Sequence, residues 1–232
     1  MIREIIFPEN VKIISLEEKI GVFEIFPLYP GYGHTIGNSL RRVLLSSIKG
    51  AAITTVKIND VLHEFSTITG VLEDVIDIVL SLKHVRVKYN GDEPIELDLY
   101  KRGEGEVLAK DIKCPAGVEI VNPNHKIATI TKKDVELKMK LIVERGYGYL
   151  NSEENKTSRV EPGVIVLDAI FSPIVNVSYE VENFIYQKRT DYNLLRLSIE
   201  TDGTINPLDA LKEALNILIN YYQKINEAFS KS

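Results

Sequence analysis

The chain has 232 residues, 44% of them apolar and 26% charged, the make-up of a globular protein with enough apolar side chain for one large core or two modest ones. A net charge of −5 and a pI near 5.5 argue against a surface that wraps nucleic acid, which needs clustered Lys and Arg, so no direct contact with DNA is expected. The lone cysteine, Cys114, rules out an internal disulfide and a Cys-rich metal site and fits a reducing compartment, taken here as the cytoplasm.

The first ten residues mix Arg3 and Glu4 with Ile and Phe and lack the basic-then-apolar layout of an export signal. No apolar run approaches the roughly 18 residues that a membrane span requires. Strands are predicted at 3–7, 11–16 and 19–28 from their Ile, Val and Phe content and partial alternation. Gly31-Tyr32-Gly33 breaks that pattern, and from His34 to Ser47 a helix is predicted, with Ile36, Leu40, Val43, Leu44 and Ser47 on one face. Residues 51–58 return to strand character, followed by a turn at Asn59-Asp60 and a short strand at 61–65. Over 71–82 the apolar set Leu72, Val75, Ile76, Val79 and Leu82 predicts a second helix. Residues 85–145 read as short strands with turns at Asn90-Gly91, 101–105, 115–117 and 122–124. The polar stretch 151–162 is expected to be an exposed loop, and strands follow at 164–171, 174–184 and 194–201.

Asn206-Pro207 is a good helix start, Asn as cap and Pro where no amide hydrogen is needed, and the helix is predicted to run to about Phe229. Leu208, Leu211, Leu215, Leu218, Tyr222, Ile225 and Phe229 recur at steps of three and four, a seam suited to another helix. Ala210, Ala214, Ile217, Tyr221 and Ala228 add a flanking stripe, so the helix is apolar over more surface than one sheet covers. Either a second copy of the chain or the chain's own first helix buries the surplus; periodicity does not choose between them. The fold class is α+β, a unit of antiparallel sheet and two helices built from both chain ends with a mostly β domain inserted between them.

Catalytic patterns are sparse. The four histidines, His34, His63, His84 and His125, stand far apart in the sequence without a metal-binding spacing, and read as structural or surface groups, so no metal and no cofactor are expected. Gly31-Tyr32-Gly33 before a helix suggests a dinucleotide loop, but Ile36 stands where its third glycine belongs. Glu73, Asp74 and Asp77 form a charged helical face of the kind that is ordinarily just solvated.

The segment FPLYPGYGHTIGNSLRRVLLSSIKGAAITTVKINDVLHEFSTITGVLEDV at 26–75 closely resembles the amino-terminal domain of the bacterial RNA polymerase alpha subunit, as do VERGYGY at 143–149, FSPIVNVSYEVE at 171–182 and QKRTDYNLLRLSIETDGTINPLDALKEA at 187–214. The resemblance implies a non-catalytic homodimeric scaffold, with a discontinuous dimerisation domain at 1–49 and 173–232 and an inserted domain at 50–172 that meets the large subunits. Its dimer interface would draw on Ile36, Leu40, Val43, Leu211, Leu215, Leu218, Tyr222 and Ile225. It implies Arg42 and Leu45 as contacts to the beta subunit, and Lys83, Leu167 and Asp168 as contacts to the large subunits, beta prime above all. Leu167 stands where the family has Val, and Tyr29-Pro30 replaces an acidic-basic pair. Family members continue past the position of Ser232 into a linker and a small DNA-binding domain, so the sequence is expected either to be cut at that linker, the favoured reading, or to come from a version that lacks the tail. The competing class is an α+β homodimeric small-molecule enzyme with a site near Glu144 to Tyr149; a DNA-binding regulator would need a basic helix that is not evident.

Overall fold

Phe23 and Ile25 alternate with Val22 and Glu24, and Leu195, Leu197 and Ile199 with Arg196 and Ser198. Two neighbouring strands therefore turn one set of side chains inward and leave the other to water, the period-two signature of a sheet covered on one side. The computed structural model describes residues 5–155, 161–187 and 189–230. Its first elements are β1 (Asn10–Leu16), β2 (Ile20–Leu28), α1 (Tyr32–Ser47), β3 (Lys49–Ile58), α2 (Val75–Leu82), β4 (Val87–Tyr89), β5 (Ile95–Arg102), β6 (Gly105–Leu108) and β7 (Ile112–Lys113). There follow β8 (Val118–Ile120), β9 (Lys126–Ile130), β10 (Glu136–Tyr147), β11 (Tyr149–Leu150), α3 (Ser152–Asn155), β12 (Val164–Val166), β13 (Ala169–Ile170), β14 (Ile174–Tyr186), β15 (Arg189–Thr201) and α4 (Pro207–Ser230). The chain is α+β and divides into two units, Met1–Ile48 with Pro173–Ser232, and Lys49–Ser172.

The unit made from both chain ends holds an antiparallel sheet in the order β1-β2-β15-β14. Phe23, Val177, Leu197 and Ile199 from the sheet enclose a core with Leu40, Leu44, Ala210, Leu211 and Ala214 from α1 and α4. The outer face carries a charge ladder in which Arg196 pairs with Glu24 and with Glu182, each at 2.8 Å. Helix α1 comes close to the sheet because of its glycines. A Cβ on Gly37 would lie 2.6 Å from the Tyr179 ring, and one on Gly33 2.6 Å from Val181. The amides of Gly31 and Gly33 donate to Asn193 Oδ1 at 2.9 and 3.3 Å, so a buried side chain on β15 satisfies the start of α1. The glycine turn is thus a packing and capping device, with its amides already spent on the protein. Helix α4 begins as expected, the Leu208 amide donating to Asn206 Oδ1 at 2.9 Å.

The inserted unit is built on an antiparallel sheet in the order β12-β3-β10-β5-β7, with small two-stranded sheets β11-β13, β4-β8 and β6-β9. Val56, Leu97, Leu99, Leu137 and Leu141 pack with Val75, Ile78 and Leu82 of α2 in its core. Several sequence expectations are corrected here. The second helix starts at Val75 rather than 71, because Val71 is held in a bridge to Ile130 and Asp74 caps the helix through the Asp77 amide at 2.9 Å. Residues 61–65 form a loop: Asn59 takes a positive φ, the Val61 amide closes a turn onto Ile58, and Ser66 Oγ donates back to the His63 carbonyl. The strand expected at 164–171 is split into β12 and β13 by Leu167 and Asp168. The strand expected at 194–201 starts at Arg189, paired along a long hairpin with β14. Part of the loop expected at 151–162 is the short α3, while 156–160 lie outside the described residues, as do the first two residues of the strand expected at 3–7; residues 5–7 are not strand.

Candidate interaction surfaces

Helix α4 is covered for only its first half. Pro207, Ala210, Leu211 and Ala214 are buried, whereas Leu215, Ile219, Tyr221, Tyr222, Ile225 and Phe229 are exposed. Among the residues expected to meet a second copy, Leu40 and Leu211 are taken up by the chain's own core, so they position the helices and offer no surface. Ile36, Val43 and Leu218 are partly buried against that core, and Leu215, Tyr222 and Ile225 are left uncovered. The chain's own first helix accounts for only part of the apolar surplus, since α1 covers the near half of α4 and not the far half. Strand β1 is exposed along its whole length, with Val11 and Ile13 opposite Ile25 and Phe23 and therefore on the helix side of the sheet. The far half of α4 and the inner side of β1 are apolar surfaces in contact with water.

Neighbouring arginines on α1 differ in use. Arg41 Nε donates to the Val177 carbonyl at 3.1 Å, tying the helix to β14. Arg42 is exposed, and its guanidinium has no hydrogen bond or ion pair among the described residues. One turn on, Leu45 lies partly buried against the core. A planar five-donor group held out on a rigid helix suits bidentate recognition of a carboxylate on another chain.

Lys83 and Asp168, far apart in the sequence, are brought together. Lys83 Nζ stands 2.7 Å from Asp168 Oδ2, and the Ser152 amide donates to Asp168 Oδ1 at 2.8 Å. The lysine and that amide hold the Asp168 carboxyl far below the usual carboxylate range. The pair ties the end of α2 to the start of α3 and leaves polar edges of both groups partly exposed. Leu167 is buried in the core, its amide donating to the Thr54 carbonyl at 2.8 Å, so it fixes where Asp168 projects and presents no apolar surface of its own.

Two further polar clusters are structural. Glu73 accepts from the Thr129 amide at 2.6 Å and pairs with Lys126 at 2.9 Å, and Asp74 is the cap of α2, so the charged face expected on that helix is largely spent within the fold. His84 and His125, distant in sequence, meet edge to face at 6.3 Å between ring centroids, with His125 Nε2 2.9 Å from the Ser81 carbonyl oxygen. No group of three or more His, Cys, Asp or Glu able to hold a metal occurs among the described residues, and no helix among them is long and apolar enough to cross a membrane. Sequence reasoning missed Asn193, Ile219 and the Lys83–Asp168 pair. A polar residue inside an apolar strand and an isoleucine between two helical stripes were the only signals for the first two.

A family model described as the RNA polymerase Rpb3/RpoA insert domain matches residues 56–172. The DNA-directed RNA polymerase subunit alpha of Roseiflexus castenholzii is 50% identical over 216 residues, covering 93% of this chain and 66% of the relative. That of Roseiflexus sp. (strain RS-1) gives the same identity and coverage. The subunit of Herpetosiphon aurantiacus is 48% identical over 212 residues, 91% of this chain and 63% of the relative. The chain therefore spans slightly under two thirds of the length of these relatives.

Proposed function

The chain belongs to the DNA-directed RNA polymerase alpha subunit family, and from that premise we propose that it is a non-catalytic assembly scaffold, two copies of which pair and then recruit the beta and beta prime subunits for DNA-templated transcription in the cytoplasm. The observation that carries the self-pairing is the half-covered α4, whose far half exposes Leu215, Ile219, Tyr222, Ile225 and Phe229. Apolar surface on that scale is costly to leave in water, and a second copy supplies a matching stripe by symmetry.

Recruitment follows from the polar groups that remain. Arg42 is available to form a two-bond contact with a carboxylate or carbonyl of beta, and Leu45 borders it on the same helix. Lys83 and Asp168, fixed by one another and by Ser152, form a rigid two-charge contact for beta prime. No residue of this chain is assigned to the polymerisation chemistry. The test is capture of purified beta. Arg42→Ala is expected to leave the circular dichroism spectrum and the self-association unchanged while beta no longer co-purifies; unchanged retention of beta removes Arg42 from the contact.

A further inference from the structure

Arg145, near the end of β10, has a setting that the scaffold reading does not use. In the β3–β10 register Arg145 stands opposite Ala51 and Tyr147 opposite Lys49, so Lys49, Arg145 and Tyr147 share one face of the sheet. Both cations converge on one carboxylate: Asp92 Oδ1 is 3.1 Å from Lys49 Nζ and 3.8 Å from Arg145 Nη1. The side chains of Lys49 and Arg145 are 28% and 19% exposed, that of Asp92 84%. Two cations largely withdrawn from water thus face a single carboxylate that projects into it. Lys49 beside it holds the Asp92 carboxyl below its usual range, so it stands there ionised. Glu144, the preceding residue on β10, borders both this side and the groove on the other side of the sheet.

The guanidinium is incompletely used. Arg145 Nη1 donates to the Asn90 carbonyl at 3.0 Å, but Nε is shut from solvent and has no hydrogen-bond partner among the described residues. A buried donor left unmade costs free energy, so Arg145 is held in this position at a cost to the fold. Around it is a cleft of about 380 Å³ whose lining includes Pro94, Tyr147, Tyr149 and Phe171, with both tyrosines exposed. Phe171 seats directly on the backbone of the strand that holds Arg145, since a Cβ on Gly146 would lie 2.7 Å from its ring.

We propose that this cleft binds a carboxylate carried next to an aromatic group, and that Asp92 is an intramolecular stand-in that the incoming carboxylate displaces. The ligand's carboxylate takes the place of Asp92, facing Lys49 Nζ and the terminal nitrogens of Arg145, while Tyr147, Tyr149 and Pro94 flank the ring. The carboxylate has two sources, a free aromatic acid or an acidic side chain within a peptide, and the two are separable by experiment.

The chain, labelled with ¹⁵N in arginine, is titrated with N-acetylphenylalanine, with the blocked peptide acetyl-Glu-Phe-amide, and with N-acetylphenylalanine amide as the uncharged control. The Arg145 Nε–H resonance, assigned by its loss in Arg145→Lys, is expected to move saturably with one or both carboxylates and to stay still with the amide. Saturation by the free acid alone marks a small-molecule site, and saturation by the blocked peptide marks a site for a partner segment; both support the proposal. Asp92→Asn, on an exposed side chain, is expected to tighten binding about tenfold by removing the competitor. The proposal is overturned by the absence of saturation with either carboxylate up to about 10 mM, well beyond millimolar affinity. An equal response to the amide, or binding to Asp92→Asn no tighter than to the parent, overturns it as well.

Discussion

Replacing Tyr222 and Ile225 of α4 by serine tests the self-pairing with little effect on the protomer. The two side chains are 62% and 51% exposed, so the protomer's own core depends little on them. Full burial of a large apolar side chain stabilises by about 1.5–3 kcal/mol, so covering the exposed part of each contributes about 1 kcal/mol. With both residues changed in both copies, association is expected to weaken by about 4 kcal/mol, roughly a thousandfold in the dissociation constant. Serine lies in the same helix-propensity group as the residues it replaces, so α4 itself is expected to persist. Sedimentation equilibrium across a concentration series reads the dissociation constant, and far-ultraviolet circular dichroism reads the helix. A parent chain that stays monomeric at tens of micromolar, or a double variant with the parent's dissociation constant, refutes the reasoning.

Asn193→Ala removes the acceptor for two amides at the start of α1, one of them buried, and is expected to cost about 1–3 kcal/mol by chemical denaturation, with hydrogen exchange accelerated in the first turn of α1. Gly37→Ala places a methyl group 2.6 Å from the Tyr179 ring and is expected to cost about 1–3 kcal/mol as the helix is pushed off the sheet, an effect a melting curve would show. The Asp168 carboxyl is depressed in the folded state by Lys83 and the Ser152 amide, so its stabilisation is fully present above the ordinary carboxylate range and is lost as pH falls towards the folded value. Asp168→Asn is therefore expected to be less stable than the parent at about pH 7, with the gap closing as denaturation is repeated below about pH 4.

Much of the fold was readable because local rules and tertiary packing agree. Asn206-Pro207 opens α4 as capping chemistry predicts, and the alternation of β2 and β15 follows from a sheet covered on one side. Periodicity could show that α4 is apolar on too many faces, but not that the sheet and α1 cover only its first half; Leu211 and Leu215 look alike in sequence and differ in burial. Residues 61–65 have strand composition, yet the turn that starts at Asn59 and the hydroxyl of Ser66 hold them as a loop. The cap of α1 was out of reach for another reason. Its acceptor, Asn193, arrives 160 residues later than the Gly33 amide it receives, and no local rule connects them. The Lys83–Asp168 pair spans 85 residues and was hidden in the same way.

The split of the first unit between the two chain ends sets an order on its birth. Glu24 meets Arg196 only after 172 further residues have been made, and β2 has no inner neighbour until β15 emerges. The insert, complete in sequence by Ser172, can condense first on a ribosome, while α1 waits with its apolar side uncovered. Closing so long a loop is slow, and the waiting surface is the part of this chain that a nascent-chain chaperone would have to shield.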